Sequence, residues 1–526
     1  MKSELKKLPT GIQTFEVIRE ENYLYVDKTE LVYRLANEHR YVFMSRPRRF
    51  GKSLLCSTLK SYFEGRRDLF EGLAMERLET EWRRHPVLLI SLASIKGGTI
   101  EDFNDRINLQ LRWYEEQYGI EKPDDTPGSR FANLIRTLPA ITGEKTVVII
   151  DEYDAPLLTV LHEPERLKEM RTCVRSLFGC LKDSDPYLRF TFLTGISKFS
   201  QVSIFSELNN LDKITMMPRY STICGITQKE LETQMMPWVE HLAADLNLTV
   251  EDTLLGLKRN YDGYHFADDL TDIYNPYSLL QAFKWSKMKD YWFDTGTPSA
   301  LVNMLQGFGP RVMEFDDGCD CSEKEFDAPT EKMVTAMPFF YQSGYLTIKA
   351  YDADAERYEL RYPNREVRNG MLQALIPYYL NEPDTINTNS VMARVYKSMR
   401  ANNLDEALQT LKVYLASIPY VEHATSEGHY QTMLYVVFSA LGLYVQMEVR
   451  TAKGRIDMVL GTKTDLYVVE LKIDRPAAEA LSQIDQKGYL LPYERDNRRL
   501  HKVGIAFSTE ERTLSEWRSE EVKSEK

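Results

Sequence analysis

The stretch SRPRRFGKSLL, Ser45 to Leu55, closes with Phe50-Gly51-Lys52-Ser53, the second half of the phosphate-loop pattern G-x-x-x-x-G-K-[ST]. It carries Arg46 where the first glycine belongs. A phosphate loop needs a strand before it, a turn whose backbone N–H groups point inward, and a helix that begins at the Lys-Ser pair. YVFMS supplies the strand. KSLLCSTLKSYFEG, apolar at Leu54, Leu55, Leu59 and Phe63, supplies the helix. Gly51 permits close approach of backbone to phosphate. Lys52 is then expected to reach the β- and γ-phosphates and Ser53 to ligate Mg²⁺, with Arg49 and Phe50 completing the nucleotide-binding stretch. A basic turn capping a helix gives the same half-motif, so companion motifs have to decide.

KTVVIIDEYD is the first companion. Four apolar residues, Val147 to Ile150, precede two carboxylates. The C-terminal edge of a buried parallel strand is where a P-loop ATPase holds Mg²⁺ and water. Asp151 is expected in the Mg²⁺ shell, and Glu152 beside the attacking water. RFTFLTG ends on Thr194, which reads either as a contact to the γ-phosphate or water, or as a threonine beginning the turn at Gly195. ATP binding follows from the ordered motifs; no arginine finger is assigned. Arg46, Arg48 and Arg49 have three readings: charge for the phosphates, a contact to a neighbouring subunit, or a patch facing nucleic acid.

YVFMS, VLLISL, KTVVIID and RFTFLTG are short and β-rich, with helical patterns between them. That alternation predicts a parallel sheet with crossover helices. From about Val250 to Asn381 the pattern is mixed and aromatic. After about Thr385 helices return, and a compact β segment follows from Tyr444. The expected division is an α/β P-loop domain over residues 1–247, a helical, winged-helix-like linking domain with a small β element over 248–384, and a C-terminal α/β domain over 385–526. The charged stretch EERTLSEWRSEEVKSEK is expected to be a solvated or frayed helix end.

With 526 residues, 43 % hydrophobic and 27 % charged, the chain is an ordinary globular protein of several domains. No run approaches the roughly 18 apolar residues of a membrane span. MKSELKKLPTGIQ has no apolar core, so no secretory signal is expected. The six cysteines form no framework, and reduced thiols in a cytoplasm are expected. Cys319 and Cys321 lack the second pair or histidine of a zinc site. The net charge of −12 argues against non-specific coating of DNA, although local basic patches remain compatible with a DNA-acting enzyme.

The second chemical signal is GRIDMVLGTKTDLYVVELKID, Gly454 to Asp474. If RIDMVL and LYVVELKI close as a hairpin around TKTD, Gly461 faces Leu466, and counting outward brings Asp457 opposite Glu470. Lys472 shares their face by the period of two. Opposed carboxylates repel unless a cation lies between them. Asp457 and Glu470 are therefore candidate ligands for Mg²⁺ or Mn²⁺, and Lys472 a candidate to position water and stabilise charge at phosphorus. A solvated hairpin face with Lys472 neutralising Glu470 is the alternative. EGHYQTMLYVVFSALG reads as a helix in which Glu427 is either a further acid for the metal or a favourable N-terminal charge. PAAEALSQIDQKGYLLPY reads as a helix with Gln483 and Lys487 on one face; these either touch DNA phosphate or are plain solvent-facing groups.

Taken with YVDKTELVYRL, LTGISKFSQVSIFSELNNL, YDGYHF, YNPYSLL, YWFDTGTP, PFFYQSGYLTI and YPNREVR, these motifs resemble, over nearly the whole length, the bacterial AAA-ATPase-like proteins that carry a C-terminal PD-(D/E)XK nuclease domain. In that family the loop itself reads RPRRFGKS. The resemblance implies ATP binding through Gly51, Lys52 and Ser53, a Walker B pair at Asp151 and Glu152, and a restriction-endonuclease-like core at Asp457, Glu470 and Lys472 with Gln483 as an accessory. The nuclease motif departs from the usual Pro-Asp, reading Ile456-Asp457. The implied function is ATP-controlled, metal-dependent cleavage of nucleic acid, DNA first, with self-assembly as a further partnership and no membrane partner. A nucleotide-gated switch that binds a partner or nucleic acid without cutting is the alternative. YDGYHF and YWFDTGTP are expected to pack the linking domain rather than to do chemistry.

Overall fold

The computed structural model describes residues 5–95, 98–121, 126–198, 211–293, 314–329, 333, 335–379, 385–416, 427–511 and 513–522, except for the side chains of 377–379, 385–389 and 427–429. The chain forms two compact units. The first comprises Met1–Gly296 with Gly318–Val367, the second Thr297–Asp317 with Arg368–Lys526.

In the first unit, strand β1 (Tyr41–Ser45) runs through the loop into helix α1 (Lys52–Phe63). There follow β2 (Val87–Ser91), α2 (Ile100–Tyr118), α3 (Pro127–Thr142), β3 (Thr146–Asp151), α4 (Pro164–Asp183), β4 (Leu188–Gly195) and the short β5 (Asp212–Lys213). All neighbouring pairs are parallel, in the order β2-β3-β4-β1-β5. Every residue of β1 and β3 is buried, as expected when both faces of a parallel sheet are covered. Leu88, Ile90, Val148 and Ile150 pack against Ile107, Leu134 and Val174 of α2, α3 and α4. On α1, Phe63 meets Phe190 of β4, ring centroids 5.1 Å apart. The expected parallel sheet with crossover helices is the observed fold.

After β5 the first unit continues through α5 (Gln228–Gln234) and α6 (Met236–Leu246) into the helical middle region with α7 (Val250–Tyr261) and α8 (Pro276–Trp285), the four sharing a core that includes Leu231, Val239, Leu257 and Leu279. It also contains an antiparallel sheet of β6 (Cys319–Cys321), β7 (Thr347–Asp352) and β8 (Arg357–Arg361), ordered β6-β8-β7. Cys319 and Cys321 are buried on β6 and are not joined in a disulfide. Helix α9 (Arg365–Tyr379) contains the boundary between the units.

The second unit contains α10 (Thr385–Arg400), α11 (Leu404–Ala416), α12 (Glu427–Ala440), β9 (Tyr444–Thr451), β10 (Gly454–Gly461), β11 (Asp465–Ile473), α13 (Ala477–Lys487), β12 (Arg499–Ser508) and β13 (Thr513–Val522). The sheet is mixed, in sequence order β9 to β13. Only β11 and β12 are parallel, and α13 makes that crossover. One expectation is corrected here: TLSEWRSEEV is not a frayed helix end but the edge strand β13. Its charges suit an edge, where they discourage pairing with another chain, and Leu514 anchors it in the core.

Candidate functional site

The phosphate loop is built from both its near and its distant neighbours. Arg46 does not point at a ligand. Its side chain is only 1 % exposed. Nη1 donates to the carbonyls of Ser45 (3.0 Å) and Thr215 (2.6 Å), and Nη2 to that of Tyr220 (3.3 Å). The guanidinium stacks on Phe266, 4.3 Å from the ring centroid. Phe50 is buried as well, its ring 4.7 Å from Tyr264 and 5.1 Å from Phe266. The YDGYHF motif therefore packs against this loop, and Phe50 offers a nucleotide only its backbone. Arg48 and Arg49 are exposed, with Arg49 lying over the Tyr277 ring at 4.8 Å.

Gly51 has φ 91°, a left-handed turn that favours glycine, and α1 begins at the next residue. The Lys52 ammonium is buried and donates to the carbonyls of Arg46 (3.0 Å) and Pro47 (2.9 Å). Burial pushes its pKa down; Glu152, Asp151 and Asp154 oppose the shift. Ser53 reaches the Asp151 carboxyl, whose pKa burial raises.

Because β4 lies between β1 and β3, Thr194 is set between the loop and the carboxylate strand. Asp151 Oδ1 and Thr194 Oγ1 are both buried without a hydrogen-bond partner. Orphaned buried oxygens are costly, and a cation with a bound phosphate would satisfy them. The residues present thus fit Mg-ATP. Glu152 sits in the left-handed region, φ 53°, a strained conformation for a side chain of its size.

Asp154 escaped sequence reasoning although it is the last carboxylate of DEYD. Fully buried, it accepts the N–H groups of Ile196 (3.0 Å) and Ser197 (2.6 Å) and the Ser197 hydroxyl (2.6 Å). It thereby ties the turn after β3 to the end of β4. Of LTGISKFSQVSIFSELNNL, 199–210 lie outside the described residues.

In the second unit the counted register is the observed one: Gly461 pairs with Leu466, and the ladder continues to Met458 and Val469. It stops at the next pair, Asp457 and Glu470, where side chains take over. Asp457 Oδ2 accepts the Leu471 N–H (2.8 Å), and Glu470 Oε1 accepts the Asp457 N–H (3.3 Å). Gln483 of α13 bridges the rest, donating to Glu470 Oε2 (2.6 Å) and accepting from the Lys472 ammonium (2.9 Å). Lys472 lies 3.8 Å from Glu470 and also touches the Leu471 carbonyl at 3.1 Å.

Glu470 is 1 % exposed, and burial first, then the Asp457 charge, pushes its carboxyl up to about 8. Two carboxylates that repel in a buried place fit a divalent cation. Among the described residues no group of three or more His, Cys, Asp or Glu side chains converges, and Asp457 and Glu470 are the carboxyls brought together here. Gln431 of α12, missed in the sequence, donates to Asp457 Oδ1 at 3.3 Å. The clue was its position one helical turn after Glu427, which opens α12 and whose side chain lies outside the described residues. Lys487 is exposed one turn beyond Gln483 and does not join the cluster.

The folds are those of a P-loop ATPase domain and a restriction-endonuclease-like domain. Residues 9–205 match the AAA-ATPase-like family, described as predicted AAA-ATPase, and residues 425–517 match the PD-(D/E)XK nuclease superfamily. The chain is 39 % identical to an uncharacterized protein in the vnfD 5' region of Azotobacter chroococcum mcd 1, over 97 % of this chain and 98 % of that one. The chain belongs to the AAA-ATPase-like proteins with a C-terminal PD-(D/E)XK nuclease domain. Among the described residues no helix is long and apolar enough to cross a membrane.

Proposed function

We propose that this protein binds and hydrolyses Mg-ATP in its first unit, and that its second unit cleaves nucleic-acid phosphodiesters, DNA first, under control of the ATP state. Residues 1–247 serve ATP, 248–384 link, and 385–526 cut, in a cytoplasmic setting. In the ATP site Lys52 leaves the carbonyls of Arg46 and Pro47 for the phosphates. Ser53 and Asp151 hold Mg²⁺, Thr194 orients the γ-phosphate or water, and Glu152 polarises that water. In the nuclease centre Asp457 and Glu470 hold Mg²⁺ or Mn²⁺, a Lewis acid that lowers the pKa of bound water. Lys472 positions water and meets the charge that develops at phosphorus, and Gln483 fixes the orientation of both Lys472 and Glu470. Gln483 and Lys487 are also the candidates for contact with the nucleic-acid backbone, and Glu427 for a further acid.

The observation that carries the nuclease reading is the buried Asp457–Glu470 pair tied to Lys472 through Gln483. A surface hairpin gains nothing from burying two like charges. The test is cleavage of labelled double-stranded DNA, single-stranded DNA and RNA with Mg²⁺ or Mn²⁺ by wild type beside Asp457→Ala. Cutting by wild type alone supports the proposal. Tight ATP binding with no cutting of any substrate supports the non-cleaving switch instead.

A further inference from the structure

The phosphate loop is gripped by residues from the motifs YWFDTGTP and PFFYQSGYLTI, and a residue of YPNREVR holds the first of them. The Trp292 indole N–H donates to the Arg48 carbonyl at 3.4 Å. The same ring, 6 % exposed, meets Tyr345 edge-on with centroids 5.2 Å apart. Gly344, φ 86°, abuts Pro47 so closely that an added Cβ would lie 2.6 Å from the proline Cβ.

Trp292 is itself held. The Glu366 carboxyl group is fully buried, and its Oε1 accepts the backbone N–H of Tyr291, that of Trp292 (2.6 Å) and the Ser278 hydroxyl (3.0 Å). Packing alone would be served by an apolar side chain. A buried carboxyl group with three donors on one oxygen is instead a device for fixing where two consecutive peptides lie.

The peptide bond explains what this device accomplishes. A peptide is planar and trans, so the carbonyl of Arg48 and the N–H of Arg49 point in opposite directions. A donor that captures the carbonyl from outside the loop sets the N–H on its inner side, where inward N–H groups bind phosphate. We infer that Trp292, held by Glu366, is a positioning residue of the nucleotide site: it presents the Arg49 N–H to the phosphates of a nucleoside triphosphate. This rests on the nucleotide reading above and adds a positioning residue that reaches the loop from more than two hundred residues away in sequence.

The test measures Mg-ATP binding by calorimetry on the full chain, wild type beside Trp292→Phe, Glu366→Ala, Glu366→Gln and the Trp292→Phe/Glu366→Ala double variant, with melting temperatures recorded without nucleotide. Trp292→Phe keeps a ring and loses the donor. Glu366→Gln keeps the acceptor oxygen. The inference expects an affinity loss of about tenfold for Trp292→Phe and for Glu366→Ala. It expects no further loss in the double variant and near-wild-type binding by Glu366→Gln. If Trp292→Phe does not fold, the contrast between the two Glu366 variants decides. Equal affinity in all variants, additive losses, or a loss in Glu366→Gln as large as in Glu366→Ala overturns it. A wild type that binds no Mg-ATP removes the nucleotide reading itself, which the first arm shows alone.

Discussion

The guanidinium of Arg46 lies 4.3 Å from the centre of the Phe266 ring, two hundred and twenty residues away in sequence. An arginine in the place of the first phosphate-loop glycine thus acts as an internal tie, joining the end of β1 to the carbonyls of Thr215 and Tyr220. Replacing it with the glycine that the general pattern asks for is expected to destabilise the protein by about 3 kcal/mol, by stripping buried carbonyls of their donor. Arg46→Lys is expected to recover little of this, because an ammonium on a single stem cannot span the same acceptors. Thermal melts of the two variants check both statements; a neutral or stabilising Arg46→Gly contradicts them.

Lys52→Ala is expected to reduce ATP hydrolysis by about a hundredfold or more, through lost phosphate stabilisation. Thr194→Val separates two roles. With β4 between β1 and β3, the Thr194 hydroxyl is expected to serve turnover more than binding, so kcat falls while ATP affinity stays near wild type. Steady-state hydrolysis beside equilibrium binding distinguishes these; a Thr194→Val enzyme with unchanged kcat leaves its buried orphan oxygen without a role.

Much of this was legible in local pattern. The apolar runs of β1 to β4 are continuous because a parallel sheet buries both faces. The register of the β10–β11 hairpin followed from counting across TKTD, because side chains alternate with a period of two. What escaped was long-range. Nothing near Arg46 in sequence announces Thr215, Tyr220 or Phe266, and nothing near Asp457 announces Gln431 on another helix. Asp154 is not distinguished by its own stretch, because its partners Ile196 and Ser197 lie just past the end of β4. β13 was misread because alternating charge on an edge strand resembles a solvated helix until the neighbouring strand is known.

Gln483 touches both Glu470 and Lys472, so in the proposed nuclease centre it would orient a metal ligand and a charge-stabilising group together. Gln483→Ala is expected to lower metal-dependent cleavage by about 10- to 100-fold, the usual range for a residue that orients ligands. Gln431→Ala, which loses one bond to Asp457, is expected to cost less. Cleavage rates at saturating Mn²⁺ give the comparison, and a Gln483→Ala protein as active as wild type rules out this role.

Glu366 gives stability a pH dependence. Burial lifts its carboxyl to about 8, outweighing the donors on Oε1; unfolded, it titrates at about 4.3. Between those values the folded protein holds a proton that the unfolded chain has released. The contribution is therefore full below about pH 4.3 and declines as pH rises toward 8, with a slope of up to about 1.4 kcal/mol per pH unit. Glu366→Gln removes the titration and is expected to flatten this part of the stability profile. Denaturant unfolding from pH 5 to 8 measures it, and identical slopes in the two proteins refute the assignment.

The most direct test of the central claim, an ATP site controlling a metal nuclease in one chain, is a paired measurement on wild type, Lys52→Ala and Asp457→Ala. ATP hydrolysis and Mn²⁺-dependent cleavage of labelled DNA are read from the same reaction, with and without ATP. The account predicts that Lys52→Ala loses hydrolysis and the ATP response of cleavage, while Asp457→Ala loses cleavage and keeps hydrolysis. Cleavage that persists in Asp457→Ala, or an ATP response that survives in Lys52→Ala, would contradict it.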